Sequence, residues 1–150
     1  MKLLISFFIL GLFNSAMAID DTSFKNKDKY QSLNLQPIGL LQEFDVHATF
    51  YPPEGKKLNK ASYIKIWEKK NREWSETFEI NPEFDMGLIP EYKLEKKVKV
   101  ASMKSDLAIE IEFIHCSQSG GQCAMERYLG KIKRKKKSDQ KDIKLTLRID

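Results

Sequence analysis

In the stretch Leu107-Ala108-Ile109-Glu110-Ile111-Glu112-Phe113-Ile114-His115-Cys116, the apolar residues Leu107, Ile109, Ile111 and Phe113 alternate with Ala108, Glu110 and Glu112. A period of two sends successive side chains to opposite faces of a β-strand. The alternation recurs on both sides. Upstream, Phe44, Val46, Ala48 and Phe50 alternate with Asp45, His47 and Thr49, and Ile64 and Ile66 oppose Tyr63, Lys65 and Trp67. A strand is expected around Trp74 to Ile80, and Leu94, Lys96, Val98 and Val100 alternate with lysines and Glu95. Downstream, a strand is expected from Met125 to Lys133, and Ile143, Leu145, Leu147 and Ile149 share one face of the last. Turn residues separate these runs: Pro52-Pro53-Glu54-Gly55, then Lys69 to Arg72, then a loop from Asn81 to Pro90. No segment keeps a 3.6-residue period beyond a turn or two. Seven to eight short strands at this spacing predict an all-β antiparallel sandwich.

The first eighteen residues read differently. Lys2, the apolar run Leu3 to Phe13 and the small-residue pattern Ala16-Met17-Ala18 have the order of a signal peptide and its cleavage site. The run is too short to cross ~30 Å of hydrocarbon as a helix. Cleavage is expected after Ala18, with the mature chain beginning at Ile19 in the periplasm or outside the cell. No cysteine follows the cut, which argues against a lipid anchor, and no later apolar run is long enough for a membrane span. Residues 19–40 are polar, with Asp20-Asp21 and several lysines. They are expected to be a flexible N-terminal segment, ending in a short edge strand near Leu33 and Leu35. The folded domain is expected over 41–150. At 41% apolar and 31% charged, the composition is that of a globular domain able to bury a core. The net charge of +5 at pH 7 is mild, but six of the seven residues from Lys131 to Lys137 are Lys or Arg.

The chemistry-bearing residues cluster after the quoted strand. Cys116 is followed by Ser117-Gln118-Ser119-Gly120-Gly121-Gln122 and then Cys123. In an exported protein an even pair at short spacing is expected to form a disulfide. Two readings of that bond stand side by side: a structural staple, stabilising by roughly 2–3 kcal/mol, or a redox pair that exchanges with a partner thiolate. His115 precedes Cys116, and an imidazolium beside a cysteine favours the thiolate. Its parity, however, is that of Leu107 to Phe113, which predicts a partly buried ring on the face opposite the sulfur. His47 is the other histidine, and the spacings do not suit a zinc site, so neither a metal nor another cofactor is expected. The run Lys133 to Lys137 is read as a solvated hairpin loop, with weak contact to an anionic surface as its functional alternative. No aromatic residues interleave with it, so nucleic-acid binding by stacking is not supported. No G-x-S-x-G elbow, phosphate loop or H-E-x-x-H occurs, and the carboxylates on alternating positions are read as a solvated face.

From about Phe44 to Ile132 the chain resembles the N-terminal periplasmic domain of the thiol:disulfide interchange protein DsbD. The likeness lies in Glu110 to Cys116 running into the first cysteine, in Gly120-Gly121-Gln122-Cys123, in Glu126 just after the second cysteine, and in the early turn Pro53-Glu54-Gly55-Lys56-Lys57-Leu58-Asn59. Glu83-Phe84-Asp85-Met86-Gly87, with Glu91-Tyr92 soon after, resembles the family's cap loop. The cysteine loop is one residue longer than in the best-known members, Lys56, Lys57 and Leu58 stand where tyrosines usually flank the pair, and Lys133 to Asp150 is extra or rearranged. The resemblance implies an immunoglobulin-like sandwich over 41–150. It also implies an exported module that passes reducing equivalents to another exported or membrane thiol-disulfide protein. Cys116 and Cys123 would carry the exchange, Phe84 would shield them, and His115 and Glu126 would tune them. The alternative is a non-catalytic binding domain whose disulfide is only structural.

Overall fold

In the computed structural model the described residues are 18–59, 61–80, 91–119 and 121–149. The expected leader, the Asn81–Pro90 loop and Phe84 therefore lie outside them. After a 3₁₀ turn at Ser23–Lys25 the strands are β1 Gln31–Ser32, β2 Glu43–Tyr51, β3 Lys56–Leu58, β4 Tyr63–Lys70, β5 Glu73–Ile80, β6 Tyr92–Lys99, β7 Leu107–Ser117, β8 Cys123–Ile132 and β9 Asp142–Arg148. Each run of alternation is a strand, the short edge strand expected near Leu33 and Leu35 falls at Gln31–Ser32 as β1, and β3 adds one more.

The strands form two sheets. The larger has the order β1-β8-β7-β4-β5; the smaller is β6-β2-β9. β8 pairs with β7 from Leu107 to Cys116, so β3 and β4 share the other edge of β7, one after the other along it. Alternate residues of both sheets face each other: Phe44, Val46 and Phe50 of β2 and Ile143 and Leu145 of β9 meet Ile64, Ile66, Ile109, Ile111 and Phe113 in one buried core. With β4, β7 and β8 in one sheet and β2 and β6 in the other, this is an all-β, immunoglobulin-like sandwich. Two pairings are parallel rather than antiparallel, β1 with β8 and β2 with β9. Both join strands far apart in the chain, where a long connection leaves direction free. The basic run is not a hairpin loop as expected: β8 and β9 lie in different sheets, so it crosses between them. It is fastened to the segment before β2, with Ile38 N donating to Lys133 O at 3.0 Å and Lys135 N to Ile38 O at 2.9 Å.

Residues 19–40, read as a flexible lead, are docked. Ile19, Phe24 and Tyr30 pack on Trp67, Trp74, Ala108 and Leu129 on the outer face of the large sheet. Asp21 accepts from Lys69 Nζ at 2.7 Å and from Trp74 Nε1 at 3.0 Å. Farther on, Leu33 lies so close to β8 that a Cβ at Gly130 would come within 2.7 Å of the Leu33 Cβ. Only glycine admits that approach.

The reading of the carboxylates as a solvated face fails for three of them: Glu68, Glu110 and Glu112 are buried. Glu110 accepts from Tyr30 OH at 3.1 Å and Trp67 Nε1 at 2.9 Å. Glu112 accepts from Arg127 Nε at 2.7 Å and Tyr63 OH at 3.3 Å. Burial, reinforced by Glu110, pushes both tyrosine pKa values upward. Glu68 shares the parity of Ile64 and Ile66 and is fully buried. It accepts from Ala101 N, Ser102 N and Ser105 Oγ at 3.1, 3.0 and 2.6 Å, which ties down the β6–β7 connection.

Burial alone would raise the Glu68 pKa, but Ser105, the two backbone donors and Lys70 together lower it. A lowered folded pKa gives stability that is complete above the unfolded value and is lost as the pH falls through the folded one. Glu68→Gln is therefore expected to cost about 1–3 kcal/mol in urea unfolding near neutral pH. The gap to wild type should be level above about pH 5.5 and narrow at lower pH; a gap that widens on acidification would contradict the assignment. The β4–β5 turn supplies a second test. Asn71 and Arg72 have φ of 49° and 71°, the left-handed pair of a two-residue hairpin. Asparagine tolerates this and arginine does so at a cost, so Arg72→Gly should raise the unfolding free energy by about 0.5–1 kcal/mol.

Candidate functional site

The ladder between β7 and β8 places Cys116 directly opposite Cys123, with Cα atoms 4.0 Å apart, and the two form a disulfide. Opposite residues of an antiparallel pair share a face, so the register itself brings the sulfurs together. The next rung, Ser117 N to Gln122 O at 2.8 Å, closes the hairpin. Within its loop Ser117 Oγ accepts from Gln122 N at 3.3 Å.

On the other edge of β7 the chain returns as β3. Pro52 to Gly55 form the expected turn, with Gly55 at φ 71° and Lys56 N donating to Pro53 O at 3.0 Å. Lys57 then pairs with Cys116 and Leu58 with His115. Asn59 follows: its N–H donates to Ile114 O at 2.7 Å, and its Oδ1 accepts from Ala61 N at 2.9 Å. With the oxygen so engaged, Nδ2 points its hydrogens at Cys116 Sγ, 3.7 Å away. This contact gives the Cys116 sulfur a polar neighbour. No sequence signal marks Asn59 for that role, because a β3–β7 pairing across 57 positions creates the contact.

The two cysteines differ in access. Cys116 is 4% exposed, whereas Cys123 is open to solvent. Next to the bond on the same face stand Ile114 and Met125, the latter 50% exposed, and then the Glu112–Arg127 pair. The opposite face carries His115, whose ring lies 6.2 Å from that of Phe113. His115 is buried and neither ring nitrogen has a hydrogen-bond partner. Burial lowers its pKa, with Glu126 pulling the other way and Lys56 adding to the fall. Its ring is thus neutral at pH 7 and on the face away from the sulfurs, as its parity indicates. Glu126 shares that inner face and accepts from Gln31 Nε2 at 2.6 Å. An open groove of about 470 Å³ runs past Lys56, His115, Gln122 and Cys123. His47 sits on β2 in the other sheet, 3.1 Å from Glu95, so the two histidines and two cysteines are not gathered together. Among the described residues no helix is long and apolar enough to cross a membrane. No known family model matches the chain, and no curated protein matches it.

The difference in access has a measurable consequence. After reduction in the folded state, Cys123 should react with iodoacetamide about tenfold or more faster than Cys116, since alkylation follows exposure and thiolate character. In urea the two rates should converge. Equal rates in the native state would mean that Cys116 is not shielded as described.

Proposed function

We propose that this chain is an exported, periplasmic thiol:disulfide exchange module, of the kind represented by the N-terminal domain of DsbD. It passes reducing equivalents between its Cys116/Cys123 pair and another exported or membrane thiol-disulfide protein. The observation that carries the reading is the unequal access to the two sulfurs. An incoming thiolate attacks Cys123 Sγ, the exposed one. A new S–S bond forms between the partner and Cys123, the Cys116–Cys123 bond breaks, and Cys116 leaves as a thiolate. Asn59 Nδ2 donates to that leaving sulfur, and a lower leaving-group pKa speeds the step. The partner's second thiolate then attacks its own bridging sulfur, forming the partner's disulfide and freeing Cys123. Two electrons have passed into the pair, and the reverse sequence delivers them to an oxidised protein.

Three further features support this reading. The hydrophobic leader and a disulfide both suit an oxidising compartment. The β3 turn lies against Cys116, where the resemblance calls for a flanking segment. Met125 and Ile114 form an apolar border beside the bond, suited to a docking protein. Phe84 is assigned the shielding role on the resemblance. His115 and Glu126 are assigned their tuning role on the resemblance, and both lie on the face opposite the sulfurs.

Two measurements test the proposal. The reduction potential should lie above about −300 mV, the region below which structural disulfides resist the glutathione pool. Cys116→Ser should trap a mixed disulfide through Cys123 with an exported partner, Cys123→Ser should trap none, and Asn59→Ala should slow exchange by roughly threefold. A bond that stays oxidised in excess glutathione, with no partner trapped by either variant, leaves a non-catalytic binding domain with a structural disulfide as the better description.

A further inference from the structure

A groove of about 390 Å³ lies between the β6–β7 connection and the end of β8, and it does not involve the cysteines. Two large apolar side chains stand open in its wall, Leu40 at 38% and Met103 at 48% exposure. Lys104, Lys131 and Lys133 line it too, against one carboxylate, Asp106. The remaining cation is Arg134. Its Nη1 donates to Ser102 O at 2.9 Å, while Nε and Nη2 are shut off from solvent and have no hydrogen-bond partner.

These two nitrogens form one edge of the guanidinium, the fork that grips two oxygens of a single anion side-on. Buried donors without acceptors are costly, and native structures rarely leave them so. The acids nearby do not fill the need: Glu68 is engaged by Ala101, Ser102 and Ser105, and Glu68 and Asp106 act on Arg134 only through space. An oxyanion reaches this edge only as the side chains covering it move aside, and once there it is away from water, which strengthens the pairing.

We infer that the groove binds a small, single-chain anionic amphiphile: a carboxylate or phosphate head that takes the Nε/Nη2 edge of Arg134, and an apolar body that lies against Leu40 and Met103. The volume suits a ligand of that size, and the covered fork favours a free molecule over a headgroup held in a bilayer. This site is independent of the exchange chemistry.

The full-length mature chain is titrated with octanoate, with inorganic phosphate and with phosphatidylglycerol vesicles, followed by calorimetry and by amide shifts of residues 101–107 and 131–134. Octanoate should bind saturably and shift those amides, phosphate should bind more weakly, and vesicles should not bind. Arg134→Lys, which keeps the charge and loses the fork, should weaken octanoate about tenfold or more. Met103→Gln, an exposed change that leaves the fold alone, should weaken it roughly threefold, so the test holds even if Arg134→Lys unfolds. Four results would overturn the inference: no octanoate binding at millimolar concentration, equal binding by both variants and wild type, phosphate binding as tight as octanoate, or binding to vesicles alone.

Discussion

β7 has almost no face left for water, and most of the molecule is arranged around that constraint. Its inner side packs into the core between the sheets, as alternation requires. Its outer side carries Ala108, Glu110 and Glu112, which would be solvated on an ordinary two-sheet sandwich but here are covered. A covered carboxylate needs donors, and they come from separate parts of the chain: Tyr30 from the N-terminal segment, Tyr63 and Trp67 from β4, and Arg127 from β8. Docking of the N-terminal segment and the register of β4 and β8 are therefore one problem. Each satisfies groups that the others leave covered.

The same constraint determines the disulfide. A one-residue slip of β8 would send Tyr128 out of the core and Arg127 into it, away from Glu112. With that slip forbidden, Cys123 is held directly opposite Cys116, the chain's other cysteine. The bond then joins residues that the ladder has already brought together. The chain-entropy gain for so short a loop is roughly 2.5 kcal/mol at most, a modest share of a domain's stability. None of the hairpin's rungs and flanking polar pairs uses the cysteine sulfurs as a partner.

Alternation made most of the strands legible from sequence, because a core of interleaved inner faces imposes a period of two and little else produces it. Phe44 to Phe50, Leu107 to Phe113 and Ile143 to Ile149 are read correctly for that reason, and parity alone put His115 on the core face. What alternation cannot show is whether the second face is wet. Glu110 and Glu112 carry the same pattern whether solvated or buried, and the segment that buries them has no period of its own. Its apolar residues, Ile19, Phe24 and Tyr30, are spaced to suit a surface rather than a strand or helix. Long-range pairing is likewise invisible. It makes the basic run a crossover instead of a hairpin, brings Asn59 to Cys116, and leaves Arg134 with two unmatched donors.

Where the bond sits bears on what it does. In antibody domains the disulfide passes through the core and joins the two sheets. Here the core is closed without it, with the Phe50 ring tilted against Phe113 at 5.3 Å and stacked on Tyr92 at 6.3 Å. Cys116 and Cys123 lie together at the end of one hairpin, on the outer face, bordered by Ile114 and Met125. A bond in that position holds no two layers together, so its loss is expected to loosen the hairpin tip and leave the sandwich standing. An exchanging pair has the same need, since its oxidised and reduced forms must share one fold and one docking surface. The core is thus insulated from the redox state of the tip, and the hairpin presents one sulfur outward while the other stays beneath Asn59. That placement is what the proposed surface thiol exchange requires of its pair.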